Sequence, residues 1–227
     1  MPAAALVTWQ LSDSAFPSGA YTLSHGLEGY AQERAIEPEA VGALLRDLLE
    51  HAVGPADGTA LALAHRGALA GDWDLVREAD GRLRASKLSK ETRQASLRIG
   101  GQLLPLCRQV FPSAQLQRLT ELVAARRTPG TQPVVTGVAY AGAAVPVAEA
   151  VAADLFAFCA SFAGAALRLR LADHRSAQVL VRGAAPAIER ATAAALARRL
   201  EDIGGCAPLA DVMSARHERA EAKLFAS

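Results

Sequence analysis

Apolar positions along this chain recur at the three-and-four spacing of a helix. Val41, Leu44, Leu45, Leu48, Leu49 and Ala52 form one such stripe, and Pro38 suits the first turn leading into it. Gly54-Pro55 predicts its end, and a shorter helix follows from Thr59 to Ala70. Asp72 is a good N-cap for a helix from Trp73 to about Ser86. Ser89-Lys90-Glu91-Thr92 starts a long helix to about Val110, which Gly100-Gly101 and Pro105 should bend or loosen. After the break at Phe111-Pro112, Ser113 caps a helix to Arg127. Further helices are predicted from Val134 to Ala144, Val147 to Leu171, Asp173 to Gly183, and Pro186 to a stop at Gly204-Gly205. Beyond Pro208, the tail SARHERAEAKLFAS reads as a charged helical segment.

No stretch alternates convincingly like a strand; VLVRG at 179–183 comes nearest and sits inside a helical pattern. The expected fold class is all-α. TPGTQP at 128–133 is the clearest linker-like break, but the helices on either side are apolar enough to need each other. One domain over 1–227 is therefore expected.

Composition narrows the function. The 227 residues, 51% of them hydrophobic, suffice for one sizeable core. A net charge of +1 gives no electrostatic case for nucleic acid. Between Pro133 and Leu167 the only charges are Glu149 and Asp154, which raises the question of a membrane hairpin. A spanning helix needs about 20 apolar residues. Pro146 and the two carboxylates divide this stretch, so buried core helices are expected and no membrane association. The N-terminal MPAAALVTWQLSDS lacks the basic start and long apolar run of a signal peptide. Cys107, Cys159 and Cys206 are far apart with no CxxC, which suits a reducing cytosol and argues against a disulfide framework or zinc knuckle. His25, His51, His65, His174 and His217 form no pair at ligand spacing, so no metal site is expected. No phosphate-binding glycine loop occurs, so the chain should not hydrolyse nucleotides alone and needs no cofactor.

The two ends hold the remaining chemistry. Within LSDSAFPSGAYTLSHGLEGY, residues 11–30, the string TLSHG is one residue away from a nucleophile elbow. An α-helical hydrolase using Ser24 is the enzyme alternative. However, FPSGAY upstream is a turn rather than a strand, and Ser24 and His25 as helix neighbours would point about 100° apart. In the other reading, Pro17 and Gly19 make a turn and Ser18 caps a helix starting near Tyr21. Tyr21, His25, Glu28 and Gln32 would then share one face, and Leu23, Leu27 and Tyr30 another. Gly26 and Gly29 each cost about 1 kcal/mol relative to alanine; close approach of another backbone would explain them. Internal packing and contact between chains both remain open for that face. The tail poses the same choice. Arg216, His217, Glu218, Arg219, Glu221 and Lys223 make either a solvated face or, with Leu224 and Phe225 at the tip, a segment that orders on a partner.

DSAFPSGAYTLSHGLEGY resembles the N-terminal signature of the urease accessory protein F family (UreF), through Asp13, Pro17, Gly19, Tyr21, Ser24, Gly26, Leu27 and Glu28. The tail is similar to the family's ending, through Arg216, His217, Glu218, Leu224, Phe225 and Ser227. SKETRQAS resembles an internal K-x-x-R region, and LRLRLADHRSAQ the end of a long apolar helix, where Arg168 takes the place of a basic residue. The resemblance implies an all-α, homodimeric, cytoplasmic, non-catalytic protein of roughly ten helices. It implies partnership with a D-type accessory protein (H in some organisms), a nickel-binding GTPase of the G type and apo-urease, to which nickel is delivered. Its partner-binding residues would include Tyr21, His25, Glu28, Arg216, His217, Glu218, Leu224 and Phe225, with 206–227 a tail ordered by the partner. The sequence departs from the family pattern at Leu171, where a proline is usual, and at Glu221, Ala222 and Lys223.

Overall fold

The computed structural model describes residues 3–220 and 222–225. These form helices joined by short turns, with no strand among the described residues. In chain order they are α1 Ala3–Ser12, α2 Leu27–Gln32, α3 Val41–Leu48, α4 Thr59–Ala70, α5 Trp73–Ser86, α6 Lys90–Val110, α7 Ala114–Ala124, α8 Gln132–Gly142, α9 Val147–Arg168, α10 His174–Gly183, α11 Ala185–Ala197 and α12 Pro208–His217. The caps predicted at Asp72, Ser89, Ser113 and Asp173 are made, whereas Ser18 does not cap a helix. Asp72 accepts from Leu75 N at 3.0 Å, Ser89 from Thr92 N at 3.4 Å, and Ser113 from Leu116 N at 3.3 Å. Asp173 and Ser176 form a reciprocal capping box. Each cap contributes about 1 kcal/mol.

α4 and α8 pack against each other at the centre. Every residue of α8 from Pro133 to Ala141 is buried. On one side, α5, α6 and α7 add Val76, Leu83, Ile99, Leu103, Leu116 and Leu119. On the other, α3, α9 and α11 add Leu45, Val151, Leu155, Phe162 and Ile188. Burying each such side chain contributes roughly 1.5–3 kcal/mol. α9 is long and apolar enough to cross a bilayer by length and composition alone. Here it packs against α1, α4, α8, α10 and α11 as a core helix.

The TPGTQP break closes over a buried carboxylate. Asp80 of α5 accepts from Thr128 Oγ1 at 2.6 Å, Gly130 N at 2.6 Å, Thr131 N at 3.0 Å and Thr131 Oγ1 at 2.5 Å. Four donors satisfy a charge that would otherwise be costly to bury. The loop is thereby tied into a single helical domain.

Some elements differ from the sequence expectation. α1 has apolar residues on several sides: Val7 and Leu11 pack against the core, while Leu6 and Trp9 are exposed. That distribution hides a helical stripe. Gly54-Pro55 does not end a helix. The chain continues from α3 into α4 through a wide helical segment, Leu49–Gly58, with i→i+5 bonding. Pro55 has no N–H to lose, and outside donors reach the widened turns: Cys206 N bonds His51 O at 2.8 Å and Gly204 N bonds Pro55 O at 3.4 Å. The glycines at 204–205 thus pass along this segment, while α11 already ends at Ala197.

Candidate functional site

The first surprise lies in residues 20–32. The expected continuous helix from Tyr21 is broken in two. A single short turn spans Ala20–Thr22, Leu23 is extended, and α2 begins only at Leu27. Two consecutive positive φ angles cause the break, His25 at 55° and Gly26 at 84°. Gly26 tolerates this conformation because it lacks a Cβ. Tyr21, His25 and Glu28 therefore do not share a helix face; each is sent to a different neighbour.

Tyr21 is exposed, and the Arg168 guanidinium lies 4.1 Å from its ring centroid. The same guanidinium lies 4.3 Å from the Phe225 ring, and its Nη1 donates to Tyr21 O at 2.6 Å. One cation at the end of α9 thus holds an aromatic from each terminus, with each contact contributing about 0.5–2 kcal/mol. His25 turns inward. Ser161 Oγ donates to Ala20 O at 3.3 Å, so the 2.8 Å contact has His25 Nε2–H donating to Ser161 Oγ. Its ring meets Phe158 edge-on at 4.6 Å. Burial, with Lys87 and Arg168 nearby, pushes the His25 pKa down to about 3. His25 is therefore a neutral internal prop.

Glu28 turns to the tail. Its carboxyl group accepts from Leu224 N at 2.7 Å and Phe225 N at 3.1 Å, and meets His217 Nε2 at 2.8 Å. Gln32 of the same helix donates to Ala222 O at 3.0 Å. The other nitrogen of His217, Nδ1, meets Glu91 Oε2 at 2.7 Å, and Glu91 Oε1 takes Lys223 Nζ at 2.5 Å. With both ring nitrogens facing carboxylates, each contact requires a proton on the nitrogen or on the carboxyl. Glu218 accepts from Ser89 Oγ at 2.8 Å and Glu91 N at 3.2 Å, at the start of α6. Gly29 allows α2 to lie on α12, since a Cβ there would sit 2.5 Å from Met213 O.

This arrangement corrects several expectations. The tail is not a continuous charged helix; α12 stops at His217. His217 is not on a solvated face, being 1% exposed, and Phe225 and Glu28 are also buried. The cause is mutual: the imidazole and two tail amides hydrogen-bond a carboxyl group that could not otherwise be buried. Arg216, Leu224 and Tyr21 remain exposed, and Glu218 is partly buried. Arg216 pairs with Glu33 at 2.9 Å on the surface. Ser24 is fully buried, and its neighbour His25 bonds Ser161. Glu91 was missed by sequence reasoning because its partner His217 is 126 residues away. Of the departures, Lys223 pairs with Glu91, and Leu171 N bonds Ala166 O at 2.9 Å, a bond that proline could not make. Glu221 and Ser227 lie outside the described residues. Also among the described residues, no group of three or more His, Cys, Asp or Glu is placed to hold a metal ion.

Comparison with known proteins identifies the family. The UreF family profile matches residues 36–185. Urease accessory protein UreF of Paenarthrobacter aurescens is 34% identical over 98% of this chain and 97% of its own length. That of Trichodesmium erythraeum is 32% identical over 98% of this chain and 96% of its own. Urease accessory protein UreF 2 of Brucella canis is 30% identical over 95% and 89%. A profile covering most of the chain, and relatives aligned from end to end, place it plainly: the chain belongs to the UreF family of urease accessory proteins.

Proposed function

We propose that this chain is a non-catalytic assembly subunit for the nickel centre of urease. It joins a D-type accessory protein (H in some organisms) to the nickel-binding GTPase, and the complex loads nickel into apo-urease. Nickel is the cargo of that complex. The subunit works in the cytoplasm as a homodimer, and its C-terminal residues 206–227 form the partner-facing part. End-to-end kinship with proteins named urease accessory protein UreF supports the reading.

The observation that carries the partner surface is the exposure left after the termini lock together. Leu224 is 78% exposed and Tyr21 69% exposed, although their neighbours Phe225 and Leu23 are buried. An exposed apolar side chain next to Phe225, whose ring shares the Arg168 guanidinium with Tyr21, suits an interface hot spot. His217, Glu28 and Phe225 act beneath it by fixing the tail. Co-expression with the D-type protein and the GTPase tests this directly. A co-purifying complex is expected, and Leu224→Ala with Tyr21→Ala should weaken it by at least about tenfold while helical circular dichroism is retained. Absence of any complex with the parent chain overturns the function. Undiminished binding by the double variant overturns this choice of surface.

A further inference from the structure

A partly open cavity of about 270 Å³ lies between the residue 18–26 loop and α6, α9 and α12. Nothing in the partner surface uses it. Its apolar wall includes Ile99, Leu103 and Phe158. Its polar wall includes three carboxylates, Asp57, Asp154 and Asp211, and one cation, Lys87. Lys87 is already spent, since its Nζ binds both oxygens of Asp57 at 2.8 and 2.9 Å. Asp154 accepts one hydrogen bond, from Gln132 Nε2 at 2.7 Å, and meets no cation among its recorded bonds. Two further groups point to a ligand. The hydroxyls of Ser96 and Ser214 line the cavity, are buried, and have no hydrogen-bond partner.

We propose that this cavity binds a small organic ammonium ion with a short apolar body. The ammonium would place N–H donors on Asp154 and on a serine hydroxyl, and the apolar body would lie against Phe158, Ile99 and Leu103. Charge supports this choice over a neutral or anionic ligand. Asp57 and Lys87 cancel, His25 is neutral, and Asp154 and Asp211 remain. Burial, with Asp57 nearby and despite the Gln132 hydrogen bond and Lys87, pushes the Asp154 pKa up to about 7, and burial raises that of Asp211. Both groups would ionise more readily beside a cation. A divalent metal fits less well, because no three ligating groups converge among the described residues.

The test is calorimetry on the full chain with ethylammonium, and with propionamide, acetate and nickel ion as comparisons. Saturable binding of ethylammonium is expected at about pH 8, weakening at about pH 5 as Asp154 takes up its proton. The other titratable groups on the wall are Asp57, Asp211, Lys87, His25 and Tyr140. Asp154→Asn should weaken binding by at least about tenfold. A carbon-13 carboxyl titration of the parent chain supplies a readout that needs no variant: the Asp154 midpoint should fall when ethylammonium is added. The proposal is overturned by any of four results: no saturation, equal binding of propionamide, binding of nickel alone, or an Asp154 midpoint that does not move.

Discussion

His25 is neutral because its ring is partly buried between Phe158 and Ser161, within reach of the positive fields of Lys87 and Arg168. That has a consequence for acid stability. In the unfolded chain the imidazole takes up a proton near pH 6.5, while in the fold it does so only at about 3. Below 6.5 the unfolded state therefore binds more protons, so stability is full above that value and is lost as the pH falls towards 3. Replacing His25 by Gln removes the titration but keeps an amide N–H for Ser161 Oγ. The thermal midpoint of His25→Gln should fall less steeply between about pH 6.5 and 4 than that of the parent. A parallel fall in both proteins would show that His25 is not the group responsible. The sequence pattern assigned His25 the wrong neighbours, because the turn that aims it depends on the φ of two residues.

At the scale of elements, helix starts were legible because capping is local. Asp72, Ser89, Ser113 and Asp173 each meet an amide within three residues. The wide segment at 49–58 was not legible, because its carbonyls find Gly204 and Cys206 some 150 residues later in the chain. The same is true of the tail lock, where Glu28, Glu91 and His217 come from α2, α6 and α12. What could be read locally was the glycine at 29, an anomaly in a helix that predicted close approach of another backbone. α12 supplies that backbone. A Cβ at Gly29 would sit 2.5 Å from Met213 O, so Gly29→Ala should force α2 and α12 apart and cost about 1–3 kcal/mol. Gly81, exposed on α5 with nothing near its would-be Cβ, is the control. Gly81→Ala should stabilise by about 1 kcal/mol through helix propensity alone. Denaturant midpoints of the two variants should move in opposite directions; a stabilised Gly29→Ala would mean the two helices do not meet there.

For the whole molecule, the two ends of the chain close on each other across a core formed by the middle. The matched family profile, residues 36–185, contains most of the core, Glu91 and Arg168, but neither Glu28 nor His217. The lock therefore joins segments on both sides of that profile to two anchors inside it. Its energy is concentrated at His217, which lies between two carboxylates that are nearly or fully buried. Removing one member of such a cluster strands the others, at about 3–5 kcal/mol. The surface pair Arg216–Glu33, with both partners substantially exposed, contributes about 0–1 kcal/mol. His217→Ala should thus lower the unfolding free energy by several times more than Arg216→Ala, although the residues are adjacent. It should also free the tail: amides at 224 and 225, held by Glu28 in the parent, should lose hydrogen-exchange protection, while those of α4 and α8 keep theirs. Equal small losses from both substitutions would mean that the tail lies loosely on the body. Uniform loss of protection would mean that the lock and the core unfold as one unit.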